Sequence, residues 1–363
     1  MKKTAVLLIC IFFFFSLSVS ASAEAIYGEV FDFFSEDALS LLEKFGISTD
    51  GEGDFFNITP KKALETVWEL FRDGFSDISG AVLQSLALIV VISLFTGFFP
   101  DGGNLFFMGK SVAVMTVMFS VVSFTGEIFS ECASALLMTR NFMLTLVPVF
   151  TGVIAMSGNP ALSVSFNSVV FAFGEGIALF FGNIIPVLSA VLLAVCSAGA
   201  INPYMKLQGT GRTLARAVTM LMAFVAGIFV AVLSVRGVIA GAADSVTIRG
   251  MRFLIGNTVP VVGSAIGEAL NSVVASIGLI RSTVGMLGVV GLVVINLPVL
   301  VNIILWKGAL YVMGVAADIT GNNEIKGFTE SLSGVISIIT GALCFVSLVF
   351  ILSIAIILTI SRA

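Results

Sequence analysis

Long apolar runs alternate along the chain with short polar seams. The first runs fall at about 81–99, 111–126, 142–157, 162–181, 184–200 and 217–241. Several approach the ~20 residues whose helix crosses a hydrocarbon core. Pro100-Asp101-Gly102-Gly103 parts the first two runs. Polar segments follow at 202–216, with Lys206, Arg212 and Arg216, and at 318–330, with Asp318, Glu324, Lys326 and Glu330. The pattern predicts an all-α, polytopic helical membrane protein of about eight to ten transmembrane or re-entrant helices.

Prolines suggest how the runs are organised. Pro148 and Pro260 lie 112 residues apart, each within Val-Pro-Val; Pro186 and Pro298 share that spacing, each followed by Val-Leu. "GIFVAVL" from Gly227 and "GALCFVS" from Gly341 extend the correspondence. The reading is two tandem units, about 142–241 and 254–355, a common plan in transport folds. With four crossings per unit the copies are parallel, and both polar segments face one side. The 142–157 and 254–267 pieces are short and hold a proline near the middle, which predicts bent, broken or re-entrant helices there.

Upstream of the membrane domain (81–363) the pattern changes. Lys2 and Lys3 precede an apolar run that ends near Ala21-Ser22-Ala23, the layout of a signal peptide over residues 1–23. Residues 24–80 hold over half of the chain's 22 acidic residues and few bases, which suits an extracytoplasmic helical region. Ser35 can cap a helix ending at Gly46. Thr59 can cap a second, with Pro60 in its first turn. On that second helix Leu64, Val67, Trp68, Phe71, Phe75 and Ile78 form an apolar stripe, expected to pack on the membrane domain or lie at the interface.

Composition sharpens the picture by exclusion. Hydrophobic residues make up 58% of the 363 and charged residues only 11%, against roughly a quarter charged in soluble domains. There is no histidine, which removes Ser-His catalysis and most zinc sites. No phosphate-binding loop is present, since "GTGRT" at 209–213 lacks the lysine and the spacing. Cys132, Cys196 and Cys344 stand apart in apolar surroundings and read as packing residues. No catalytic, metal or cofactor set can be assembled.

What remains is intramembrane polarity. Glu175, in "FAFGEGIAL", is costly at depth and calls for a cavity or a partner. It serves an ion path, stays protonated, or pairs to hold two helices in register. Glu268, Arg281, Arg236 and Lys307 interrupt other runs. The triplet Gly285, Gly288 and Gly291 permits close helix approach, and Asn257, Asn271 and Asn302 suit interhelical hydrogen bonds.

The seam between the proposed units carries a resemblance. Ser234-Val235, Gly237, Asp244, Val246-Thr247, Arg249, Phe253, Gly256-Asn257, Val259-Pro260-Val261 and Gly263, then Ser282-Thr283-Val284-Gly285, resemble the central signature of the stage III sporulation protein AE family. The resemblance implies a non-enzymatic, multi-pass component of the channel complex joining mother cell and forespore, in the mother-cell membrane. Implied partners are the bilayer, other stage III sporulation membrane and ring subunits, and a separate cytoplasmic ATPase, with no nucleic acid. Candidate structural or functional residues are Arg249, Gly256, Asn257, Pro260, Glu175 and Glu268. The alternative is a secondary transporter with an ion-coupled path between two repeats.

Overall fold

The computed structural model describes residues 60–98, 104–180, 210–258 and 263–360, with isolated positions at 43 and between 187 and 198. These residues are helical apart from a few turn positions, and no strand occurs among them. Six helices follow in order: α1 Pro60–Phe98, α2 Asn104–Met156, α3 Pro160–Leu179, α4 Thr210–Thr258, α5 Gly263–Ile319 and α6 Asn323–Ile360. Five are long and apolar enough to cross a membrane, namely α1, α2, α4, α5 and α6. The chain is a multi-pass membrane protein.

The stretch up to Val67 and the stretch from Trp68 are separate compact units. In the first, Pro60 opens its helix at the position where a missing N–H costs nothing. Lys61 and Glu65 pair one turn apart, at 3.8 Å. The apolar stripe and the first expected span prove to be one helix. In the second unit Ile78 is buried, but Trp68 and Phe75 are 66% and 59% exposed. In that unit the stripe is therefore mostly uncovered by the described residues. The signal segment, the first N-terminal helix, Cys196, Pro186 and Pro260 lie outside the described residues.

The break expected at Pro148 is absent. The runs at 111–126 and 142–157 belong to α2, 53 residues and about 80 Å long, which passes through Pro148. The 57-residue α5 passes through Pro298. Each proline removes one backbone bond, but a continuous helix survives in lipid where neighbouring groups restore the pairing. Thr151 Oγ1 donates to the Pro148 carbonyl at 3.0 Å, beside the fault. The turn at 157–159 also has no counterpart 112 residues on, because 269–271 lies within α5. The turn at 157–159 is thus not part of a repeat at that period.

A different correspondence is visible. Gly158 and Gly321 have φ of 88° and 73°, the left-handed region that favours glycine. In both corners the glycine N–H and the next N–H reach back to carbonyls of the preceding helix. Gly158 bonds Ala155 and Asn159 bonds Ile154; Gly321 bonds Asp318 and Asn322 bonds Ala317. These are Schellman closures. Asn159 and Asn322 then accept the first bonds of the next helices, from Ser163 and Lys326. "SGNP" and "TGNN" thus build two tight hairpins, α2–α3 and α5–α6.

Contacts fix the helix directions. Thr151, Leu144 and Arg140 of α2 meet Ser163, Gly174 and Glu175 of α3. Leu162 and Phe173 of α3 meet Asp244 and Phe229 of α4. Phe142 and Leu146 of α2 face Gly291 and Gly288 of α5, and Ile354 and Leu358 of α6 face Gly288 and Gly285. Neighbours in each pair run oppositely, so α2, α4 and α6 point one way and α3 and α5 the other.

The core centres on α6. Phe328, Leu332, Val335, Ile339, Leu343, Val346 and Phe350 are buried along one face, and Ile338, Ala342 and Val349 are buried on the flank beside it, so the apolar face of this helix is wide. The triplet glycines supply its closest contacts. A Cβ on Gly288 would stand 2.6 Å from Leu146 Cδ2 and 2.9 Å from Ile354 Cδ1; on Gly291 it would stand within 2.5 Å of the Phe142 ring, while on Gly278 it would meet nothing within 4 Å. Overpacking of this kind costs roughly 1–3 kcal/mol. Gly291→Ala and Gly288→Ala are therefore expected to lower the midpoint of thermal unfolding in detergent. Gly278→Ala serves as the control and should leave it unchanged or raise it slightly.

Candidate functional site

Polar side chains gather at two places in the membrane unit: within the bundle, where they join helices, and in one open cleft. Asp244 is the clearest joining residue. It lies on α4, 4% exposed, and its carboxylate accepts the backbone N–H groups of Ala161 and Leu162 at 3.0 and 2.9 Å. Those donors are left over at the start of α3, where Pro160 has none to give. A negative charge at a helix N-terminus also meets the favourable end of the macrodipole. A residue of the seam, picked out in the sequence only as part of a signature, thus caps a helix 83 positions away.

The α2–α5 contact carries a buried polar pair. Asn296 Nδ2 donates to Thr139 Oγ1 at 2.9 Å and to the Leu292 carbonyl at 2.8 Å. Farther along, Asn302 Nδ2 donates to Glu131 Oε2 at 2.6 Å. The expectation for Asn302 holds. Asn296, fully buried, escaped notice because nothing but its polarity distinguishes it inside an apolar run. The side chains of Asn257 and Asn271 lie outside the description.

Glu175 sits on the surface of α3 and accepts from Arg140 Nη2 of α2 at 2.8 Å. Glu175 thus has an ion-pair partner on a neighbouring helix. Arg249 is exposed on α4. Gly256 and Asn257 fall in the last turns of α4 and Glu268 in the early turns of α5, with their side chains not described. Glu175 and Arg249 are not joined by a hydrogen bond or ion pair. Cys132 is buried and Cys344 exposed, so only the former is a core residue. No group of three or more His, Cys, Asp or Glu is placed for a metal among the described residues.

The cleft lies where α4, α5 and α6 meet and has a volume of about 810 Å³. Its lining follows helical spacing on each wall. Arg216, Thr219, Met220 and Ala223 come from α4, and Leu310, Tyr311, Gly314, Val315 and Asp318 from α5. Lys326, Thr329, Glu330, Ser333 and Ser337 come from α6. Arg216 of the first polar segment and Asp318, Lys326 and Glu330 of the second thus line one space. Lys326 Nζ pairs with Asp318 Oδ1 at 2.8 Å across the α5–α6 corner. Deeper in, Lys307 Nζ donates to Ser337 Oγ at 3.0 Å. The polar stripe Lys326, Thr329, Glu330, Ser333 and Ser337 was legible as i, i+3, i+4 spacing, but its lower half is diluted among apolar neighbours.

Two measurements follow. Asp244→Ala should destabilise the purified protein by about 1–2 kcal/mol through loss of the cap, with Asp244→Asn falling between the two. Glu175→Gln or Arg140→Gln alone should destabilise more than the double substitution, since each single change strands a charge in lipid; thermal unfolding of all three reads the difference.

Comparison with known proteins agrees with this architecture. The stage III sporulation protein AE of Bacillus subtilis (strain 168) is 23% identical over 310 residues, which make up 84% of this chain and 76% of that protein. No solved structure matches the chain. The family model for stage III sporulation protein AE matches residues 48–361. A match of that extent, over a helical membrane bundle whose α3 is capped from the signature seam, places the chain in the stage III sporulation protein AE family.

Proposed function

We propose that the chain is an integral membrane component of the channel complex between mother cell and forespore, required for endospore formation. The observation that carries this reading is the family match across residues 48–361, joined to five helices long and apolar enough to span a bilayer. The protein works by assembly and makes or breaks no bond. Its partners are other stage III membrane and ring subunits in the mother-cell membrane, and a separate cytoplasmic ATPase supplies the energy. Support for an external ATPase comes from the sequence, which has no phosphate-binding loop of its own. The leading 23 residues act as a signal, and 24–80 form an extracytoplasmic region. The seam at Arg249, Gly256, Asn257 and Pro260 joins two related units, with Glu268 just beyond it.

One observation favours a second reading, a secondary transporter. The α4–α5–α6 cleft has charges of both signs beside an apolar wall, which is how a small solute is held. Flux of a labelled solute panel into proteoliposomes under an ion gradient decides between the two.

Deletion in the host should leave vegetative growth unchanged and arrest development after engulfment, with heat-resistant spores falling by orders of magnitude. A normal spore yield would exclude the channel role. Pro260→Ala and Asn257→Leu, expressed to wild-type level, should lower spore yield more than matched changes in the middle of α4.

A further inference from the structure

We infer that the α4–α5–α6 cleft is a binding site for the headgroup of a zwitterionic aminophospholipid. Three features carry this. The first is the distribution of charge. Arg216 makes no ion pair or hydrogen bond among the described residues, while Lys326 is held by Asp318 at 2.8 Å. A guanidinium at the mouth of a membrane cleft matches a phosphodiester, which it contacts through two parallel N–H donors. Asp318 and Glu330 stand on the same rim. A purely anionic headgroup would meet both carboxylates, whereas a zwitterion sets its phosphate toward Arg216 and its ammonium toward the acids.

The second feature is depth. Lys307 reaches Ser337, a lining residue about one turn below Ser333, so cationic character continues under the rim. Basic pockets between membrane helices bind anionic lipid headgroups, and the two carboxylates on this rim turn the same geometry toward a zwitterion. The third is the wall. Met220, Ala223, Leu310 and Val315 give the cleft an apolar side, and Met220 and Val315 are 75% and 41% exposed, which suits a glycerol backbone and the start of an acyl chain. About 810 Å³ falls within the range of small-ligand sites.

The test uses the full chain, delipidated in detergent and returned to nanodiscs of phosphatidylcholine alone or doped with phosphatidylethanolamine or phosphatidylglycerol. Native mass spectrometry of the released protein and thermal unfolding are read together. Phosphatidylethanolamine should be retained as a single bound lipid and raise the unfolding midpoint. Arg216→Gln, at an exposed position that leaves the fold intact, should weaken retention about tenfold, the loss of one charge-assisted contact. Asp318→Asn should shift preference toward phosphatidylglycerol. Equal retention of all three lipids, stronger retention of phosphatidylglycerol by the unsubstituted chain, or retention unchanged by Arg216→Gln would overturn the proposal. Full protection by soluble glycerophosphoethanolamine would likewise overturn it, by showing a headgroup site that needs no lipid.

Discussion

Everything in the bundle depends on how closely α5 can lie between α2 and α6. At Gly288 one backbone position touches Leu146 on one side and Ile354 on the other. No side chain larger than hydrogen fits between those neighbours without moving them. In lipid, apolar surfaces gain little by leaving the solvent, so helix association rests on contact distance and on hydrogen bonds. The triplet Gly285, Gly288 and Gly291 supplies the distance, and Asn296 with Thr139, two turns away, supplies the hydrogen bond. With α5 fixed in that slot, α6 becomes the buried axis, and α4 and α3 pack around it.

The polar groups divide by what surrounds them. Asp244 is closed off and spends its charge on two backbone donors. Glu131 and Glu175 lie nearer the surface and each has a side-chain partner on another helix. The cleft at the α5–α6 corner keeps several charged groups around an open space. The bundle therefore separates groups that build the fold from groups placed to meet a second molecule.

Fold class was legible because long apolar runs have few structural solutions in a bilayer. The start of α1 at Pro60 and the close approach at the glycine triplet were also written locally. Helix continuity was not. Pro148 read as a break, yet a helix interior absorbs proline when its neighbours compensate. The 112-residue spacing drew attention to prolines, while the corners that fold the chain are "SGNP" and "TGNN", which carry their signal in one left-handed glycine each. Asp244 shows the remaining limit. Its residue type suits an N-cap, but the helix it caps begins far away in sequence, and no local pattern names it.

Those twin corners have a mechanical meaning. A Schellman turn followed at once by the next helix leaves no slack, so α5 cannot slide along its axis without dragging α6, nor α2 without α3. The bundle thus behaves as two stiff forks meshed at the glycine slot. Any force arriving at one end would be passed through as a rigid displacement of a whole fork, with the carboxylate of Asp244 as the latch tying α4 to the tip of the first.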